Sequence, residues 1–356
     1  MSTIIRSRKK VIGVIGARGK IGKSLINTLV EDGYEVIRGS RTCNNSNTEM
    51  KVDIFDDESL KKIVGESDII VNCAGPTFIF KNRILSCALA LEKDYVDAFG
   101  WTNGVFDLEK PKSRIVLNCG SQPGLSGVVL KKITTRKTQS VNIWSGGREN
   151  GGYGALGDII LSSINGYGKS NCHMINQHIV KDSNVSEVKK INMMHMCEPV
   201  IVQKYLSDES VQFARSIELP NLTEYKAFPD ERLKNLLVEG CIRCMQINDV
   251  NEYRKVFLEL LNRSIVINQG MESWFSFIAE AIEDGKKIVF ALKAIDSSVI
   301  TKIMLDFTIK TLCKNEIPDG IYWPYEILNS NEIISLLKKE GIEIKQIVAE
   351  DIGGTI

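Results

Sequence analysis

The chain predicts an α/β fold, a doubly wound parallel sheet at the amino end joined to a second, α+β domain. Three observations predict it. The apolar run Val11–Ile15 meets glycines at 16, 19 and 22, and a segment with Leu25, Ile26, Leu29 and Val30 on one helical face follows. Short apolar runs then alternate with helix-period segments to residue 136. From residue 137 the alternation gives way to glycine-rich and mixed patterns.

Taken in order, Val11–Ile15 reads as a buried strand and the glycines as a site for a diphosphate. Gly16 allows a sharp turn, Gly19 lets the backbone approach the anion, and Gly22 lets the helix pack on the strand. The N–H groups opening that helix, with Lys20 and Ile21 in its first turn, face the anion along the helix dipole. Arg18 adds a cation. The alternative is a plain strand-to-helix turn, but strands before and after it favour a Rossmann dinucleotide-binding domain. The second strand, Tyr34–Ile37, leads into Arg38-Gly39-Ser40-Arg41, where an NAD-selective site carries an Asp or Glu. Guanidinium and hydroxyl groups donate to a 2′-phosphate that a carboxylate repels, so these residues point to NADP(H). A solvated basic turn is the other reading. Asp53, in the third strand (Met50–Ile54), is counted with the cofactor contacts.

Asp57–Gly65 reads as a helix and Asp68–Cys73 as a central strand covered on both faces. Ala74-Gly75-Pro76 breaks it at the carboxyl end, where open α/β sheets bind ligands. Asn72, Cys73, Ala74, Gly75 and Pro76 are therefore expected beside the nicotinamide ribose, with Cys73 more simply a small buried residue. Phe78–Leu91 is helical, Asp94–Ala98 and Arg114–Asn118 are strands, and a helix opens at Pro123-Gly124-Leu125 and runs to Thr135. Asp97 ends its strand facing the same crevice, to bind an amine or iminium cation, to move a proton, or only to cap a loop. Tyr95 shares its face.

In the second domain, Val141–Trp144 reads as a strand and the glycine-rich stretch 146–154 as a loop. Its Arg148 and Tyr153 are catalytic candidates, the guanidinium and the backbone N–H groups binding a substrate carboxylate; a flexible connection is the alternative. A helix over Ala155–Asn165, strands between 175 and 227, helices over 230–247 and 251–283, a strand at Lys287–Ala294 and a helix at Ser298–Leu312 complete the domain. The helix Glu332–Glu340 is expected to pack back on the first domain. The expected organisation is 1–136 for cofactor, 137–320 for substrate and dimerisation, and 321–356 returning to the first domain.

Composition narrows the function classes. The chain has 356 residues and a net charge of +1, so no global field points to nucleic acid or a membrane surface. The run Arg6-Ser7-Arg8-Lys9-Lys10 reads as a solvated approach to the first strand, and 42–48 as a polar loop. Nine cysteines, several in apolar runs, suit reduced thiols in a cytoplasmic protein. Met1–Arg6 lacks the apolar core of a secretory signal, and no apolar run is long enough to cross a bilayer. Cys241-Ile242-Arg243-Cys244 has metal or redox spacing without a second ligand pair, so no metal is expected. His173, His178 and His195 form no ligand pattern.

Four segments resemble the saccharopine dehydrogenase-like oxidoreductases. They are the Gly16/Gly19/Gly22 fingerprint; Val71-Asn72-Cys73-Ala74-Gly75-Pro76-Thr77-Phe78; Tyr95-Val96-Asp97 after Cys87-Ala88; and Gly120-Ser121-Gln122-Pro123-Gly124-Leu125-Ser126. The tail, Gly320–Glu326 and Gly341-Ile342, matches weakly. Gln122 stands where the family often has Asp, and Ala98-Phe99-Gly100-Trp101 replaces small polar residues. The resemblance implies a Rossmann domain coupled to an α+β substrate domain and an NADP(H)-dependent hydride transfer to a C=N bond. It also implies a small, carboxylate-bearing substrate and a homodimer. A C=O or C=C reductase, and an NADP(H) sensor without turnover, remain open alternatives.

Overall fold

The computed structural model describes residues 9–42, 46–183, 190–247, 249–314 and 316–350. Arg6–Arg8 of the basic run, and part of the 42–48 loop, lie outside them. The chain divides into two compact units, one of residues up to Gly120 with Thr301–Ile327, the other of Ser121–Ile300 with the residues from Leu328 onward.

In chain order the first unit holds β1 (Val11–Ile15), α1 (Lys20–Glu31), β2 (Glu35–Ser40), β3 (Glu49–Lys51), α2 (Asp57–Glu66) and β4 (Ile69–Asn72). It continues with α3 (Thr77–Phe80), α4 (Arg83–Ala90), β5 (Asp94–Asp97) and β6 (Arg114–Val116). The second unit follows with α5 (Leu125–Ile133), β7 (Ser140–Arg148), α6 (Tyr153–Ile164), β8 (Gly168–Ser170), β9 (Cys172–Ile175), β10 (His178–Lys181) and β11 (Lys190–Ile191). Next come β12 (Val200–Ser207), α7 (Asp208–Ser216), β13 (Asn221–Phe228), α8 (Glu231–Met245), α9 (Val250–Asn268), β14 (Trp274–Glu283) and β15 (Lys286–Ala294). Within α10 (Ser297–Cys313) the chain passes to the first unit, which β16 (Gly320–Tyr322) and α11 (Pro324–Ile327) complete. The helix α12 (Ser330–Lys339) and the strand β17 (Glu343–Glu350) belong to the second unit.

The first unit is a parallel sheet of seven strands in the order β3-β2-β1-β4-β5-β6-β16. Sequence order reverses between β1 and β4, the switch point at which doubly wound sheets open a crevice. The strands are apolar on both faces because helices cover both. Ile12 and Val14 pack with Leu25 and Leu29 of α1 and with Leu305, Ile309 and Leu312 of α10. Val11, Ile15 and Ile70 pack on the other face with Leu60, Ile63 and Val64 of α2 and Ile84 of α4. One buried ion pair pins the far side of the sheet. Arg114 donates from its backbone N–H and its Nε to Asp94 Oδ1, at 2.9 and 3.1 Å, and from Nη2 to Oδ2. Its Nη1 reaches the carbonyl of Leu312 at 2.7 Å, fixing the end of α10.

The second unit is built on a mixed sheet whose main path runs β10-β9-β13-β7-β14-β15-β17. Among the described residues of this sheet only β13 and β7 pair in parallel, and β12 joins β13 on the side. Helices α6, α8 and α9 pack on one another, and α12 packs on α5. Glu209 of α7 caps α5: Gly124 N–H donates to its Oε1 at 2.8 Å and Ser126 Oγ to its Oε2.

Four expectations are corrected. The predicted helix over 251–283 is α9 followed by β14, because Gly270, at φ +74°, ends the helix. Buried along most of its length, β14 lacks the alternation that marks a strand, and its Ala and Glu residues favour a helical reading. The predicted loop from 146 begins at Glu149, since Gly146 and Gly147 lie inside β7, paired with Ala227 and Phe275. The helix Glu332–Glu340 packs on α5, which lies within the predicted 1–136 but belongs to the second unit. Finally, the first unit regains the chain at 301–327, not 321–356, because β16 pairs with β6 while β17 extends the second sheet.

Truncating Arg114 leaves Asp94 buried without its counter-charge. Arg114→Ala is therefore expected to cost about 3 kcal/mol of stability. Denaturant unfolding measures it, and an unmoved midpoint would show that the pair contributes little.

Candidate functional site

At the switch point β1 ends in Gly16, whose φ is +87° and whose hypothetical Cβ would lie 2.6 Å from Ala74 N and from Cys73 C. A side chain is thus excluded twice, by the positive φ and by the backbone following β4. The N–H groups of Gly16 and Ala17 both donate to the carbonyl of Gly39, at 3.0 and 3.1 Å, and Gly19 N–H closes the turn on Gly16 O at 2.9 Å. A Cβ on Gly22 would overlap Gly16 O. Gly19 caps α1 with no side-chain hydrogen bond, and the first turn, Lys20, Ile21 and Gly22, has no acidic residue. Three glycines thus clear a cradle at a helix end that holds no anion of its own, and the positive end of the dipole suits a diphosphate there.

The two hydrogen bonds to Gly39 O fasten the end of β2, where Ser40 and Arg41 follow, to this turn. Ser40 is half-buried and its Oγ accepts Thr42 N–H at 3.4 Å; Arg18 and Arg41 are exposed and Arg38 half-buried. Asp53 is used locally. Its carboxylate accepts Phe55 N–H at 3.0 Å and its N–H donates to Ser59 Oγ at 3.1 Å, leading into α2.

The carboxyl ends of β4, β5 and β6 form a buried polar network. Asn72, 1% exposed, accepts Ala74 N–H on Oδ1 at 2.9 Å, which shapes the turn to Gly75 and Pro76. Its register partner is Asp97. Asp97, also 1% exposed, accepts the Asn118 N–H on Oδ1 at 2.6 Å and bonds the Tyr95 hydroxyl. Desolvation raises its carboxyl to about 7 against the lowering effect of those two bonds. Asn118 takes φ +64° and accepts Gly100 N–H on Oδ1 at 2.9 Å. A Cβ on Gly100 would fall 2.8 Å from Asp97 Cγ, so only glycine lets the loop lie over the carboxylate. Desolvation pushes the Cys73 thiol up to about 12.

Two expectations change here. Asp97 does not stand open in a crevice: it is enclosed and committed to the Asn118 backbone and Tyr95. Arg148 is 2% exposed and committed to Glu198, with Nε and Nη2 each 2.9 Å from a carboxylate oxygen and Nη1 on Asn268 Oδ1 at 3.1 Å. That pair holds the end of β7, and the guanidinium is committed to Glu198 and Asn268. Tyr153 opens α6 with its ring edge on Phe257, centroids 5.8 Å apart. Gln122 donates to Glu224 Oε1 at 3.1 Å. Burial works to raise Glu224, but Lys226 and the bonds from Ser207 hold it below the usual carboxylate range. Cys241 and Cys244 lie on α8, Cys244 pushed up to about 11 by burial, and no metal-ligating group of three occurs among the described residues. Among those residues no helix is long and apolar enough to cross a membrane. Asn118 and Gly100 were not anticipated, because a left-handed asparagine and a glycine under a carboxylate leave no periodic signal.

The Asp97 shift has a sign that can be tested. Its pKa is about 7 here and 3.8 ordinarily, so folding favours the protonated form and ionisation costs stability. From this group, stability falls as pH rises from about 4 to about 7, by on the order of 1 kcal/mol per pH unit. Asp97→Asn should flatten that part of the profile, read by unfolding midpoints at several pH values; Glu209, also raised to about 7 by burial, keeps a slope of its own. An unchanged profile would remove Asp97 from the account.

Comparison with known proteins agrees with this architecture. Residues 12–85 match the NAD dependent epimerase/dehydratase family. A search of curated protein sequences returns no significant match. Among solved structures, apo saccharopine dehydrogenase (L-Glu forming) from Saccharomyces cerevisiae superposes with a TM-score of 0.65 over 96% of this chain and 100% of that one, at 15% identity. Partial similarity extends to a short-chain dehydrogenase/reductase superfamily protein from Agrobacterium tumefaciens with bound NAD (TM-score 0.22, 16% identity, 24% of this chain and 31% of that one). A putative NADH-flavin reductase from Streptococcus pneumoniae is similar over 25% of this chain and 47% of that one (TM-score 0.22, 21% identity). The chain has the saccharopine dehydrogenase fold.

Proposed function

We propose that the chain is an NADP(H)-dependent oxidoreductase acting on a C=N bond of a small molecule derived from an amino acid. The observation that carries this reading is the side-chain-free cradle at Gly16, Gly19 and Gly22, with the basic end of β2 fastened to it through Gly39 O. The α1 N–H groups bind the diphosphate. Ser40 and Arg41 donate to the 2′-phosphate, with Arg38 behind them and Arg18 across the turn. The Asn72–Pro76 turn orients the nicotinamide ribose. Bound NADPH supplies the hydride. Asp97 acts as a positioning residue: its Oδ1 holds Asn118, and a pKa of about 7 lets the carboxyl keep or release a proton near neutrality. The resemblance of the four sequence segments favours C=N over C=O.

A second reading, an NADP(H)-binding protein without turnover, draws on the internal commitments of Asp97, Arg148 and Gln122. NADPH oxidation with mixed imines and ketones separates the two; binding without turnover across the panel would favour the second. For cofactor choice, Arg41→Ala should weaken NADPH by roughly tenfold to a hundredfold and leave NADH nearly unchanged. Fluorescence titration measures both. Equal losses would overturn the 2′-phosphate assignment.

A further inference from the structure

The loops after β4 and β5 bring three aromatic rings together beside the Asn72–Pro76 turn. Phe78, on α3, is buried and forms the backing. Trp101 meets it edge-on with centroids 5.2 Å apart, and Phe99 lies 5.8 Å from it at a 41° tilt. Phe99 and Trp101 are only half-buried, so they form the outer surface of this wall. Its backbone is fixed: Thr77 Oγ1 donates to Phe99 O at 2.7 Å, Ala98 N–H to Asn72 O at 3.1 Å, and Gly100 N–H to Asn118 Oδ1 at 2.9 Å. At the rim, Lys81 closes α3 with φ +51°, an uncommon value for a residue with a Cβ, and its N–H bonds Thr77 O at 2.6 Å. That conformation places its ammonium over the Trp101 ring, 5.3 Å from the centroid. Among the described residues Lys81 pairs with no carboxylate.

These rings lie at the carboxyl ends of β4 and β5, beside the strand pair where sequence order reverses, on the side to which the reading above assigns the nicotinamide ribose. We infer that Phe99, Trp101 and Lys81 select a substrate with a flat apolar body of aryl size and a single carboxylate, the body lying against the rings and the carboxylate drawing the Lys81 ammonium off the face of Trp101 to pair with it. This rests on the cofactor reading and adds the substrate class. A small dicarboxylic amino acid fits poorly, because the ring faces carry the negative side of the aromatic quadrupole and repel a second anionic group. Polar side chains in place of Phe99 and Trp101 would remove that bias. Here one cation lies over the apolar area.

The test uses the full chain saturated with NADPH and three probes: 3-phenylpropionate, propionate and 3-phenylpropionamide. Calorimetric titration should show 3-phenylpropionate binding at least about tenfold tighter than propionate. It should exceed 3-phenylpropionamide by roughly threefold to fivefold, as expected for a partly solvated ion pair. Trp101→Leu should erode the first ratio and Lys81→Gln the second, while NADPH affinity, measured in the same samples, stays unchanged and reports a folded cofactor domain. If Trp101→Leu does not fold, Phe99→Leu replaces it, and the probe ratios of the unaltered chain test the inference regardless. Propionate equal to 3-phenylpropionate, no saturation by any probe, or ratios untouched by the variants would overturn the aromatic wall while the cofactor reading stands. Failure of NADPH itself to bind would overturn the cofactor reading instead.

Discussion

The first unit depends on one close approach of backbone to backbone. Where β1 ends, Gly16 lies against the peptide between Cys73 and Ala74, with no room for a single methyl group. The same turn hangs from the carbonyl of Gly39 by two hydrogen bonds. Three neighbouring strand ends, β2, β1 and β4, are thereby locked in register around the point where the chain order reverses. The start of α1, the basic end of β2 and the turn after β4 all take their positions from it. A side chain there would separate them, and no compensating hydrogen bond could restore the spacing.

Around Asp97 the balance is between desolvation and hydrogen bonding. The Asn118 N–H and the Tyr95 hydroxyl both favour the charged carboxylate, yet burial prevails and the group sits near neutrality. Glu224 shows the opposite outcome at equal burial, because a lysine stands beside it. The comparison identifies the missing ingredient at Asp97 as a cation. The same logic applies to Arg148, since an arginine this deeply buried is retained only with its charge matched, and Glu198 matches it.

Much of the first unit is legible in the sequence because its rules are local. A continuous apolar run followed by glycine, as in β1 and β4, marks a central parallel strand and the turn at its carboxyl end. The second unit obeys longer-range constraints. The strand β14 is hidden because both its faces are covered, although Gly270 before it and the Asp284-Gly285 turn after it, at φ +48° and +72°, are punctuation a closer reading could use. Arg148 looked available because Glu198, its partner, is remote in sequence. The break falls at Gly120 and not at 136 because α5 packs on α7, β14 and β15 of the second unit, and β16 returns to the first sheet from far along the chain, so no contiguous segment describes the first unit. At the candidate site, glycines and basic residues announce themselves, whereas Asn118 acts through a backbone angle that composition does not record.

The turn after β4 also carries a thiol, and its environment decides its chemistry. Electrophiles attack thiolates, and Cys73, its ionisation pushed up to about 12, stays protonated at neutral pH. It is a quiet sulfur despite its address. Cys197, by contrast, is exposed and hydrogen-bonded to Lys293. Among the described cysteines Cys197 is the exposed one, so alkylation there reports on the second unit, far along the chain from the turn after β4.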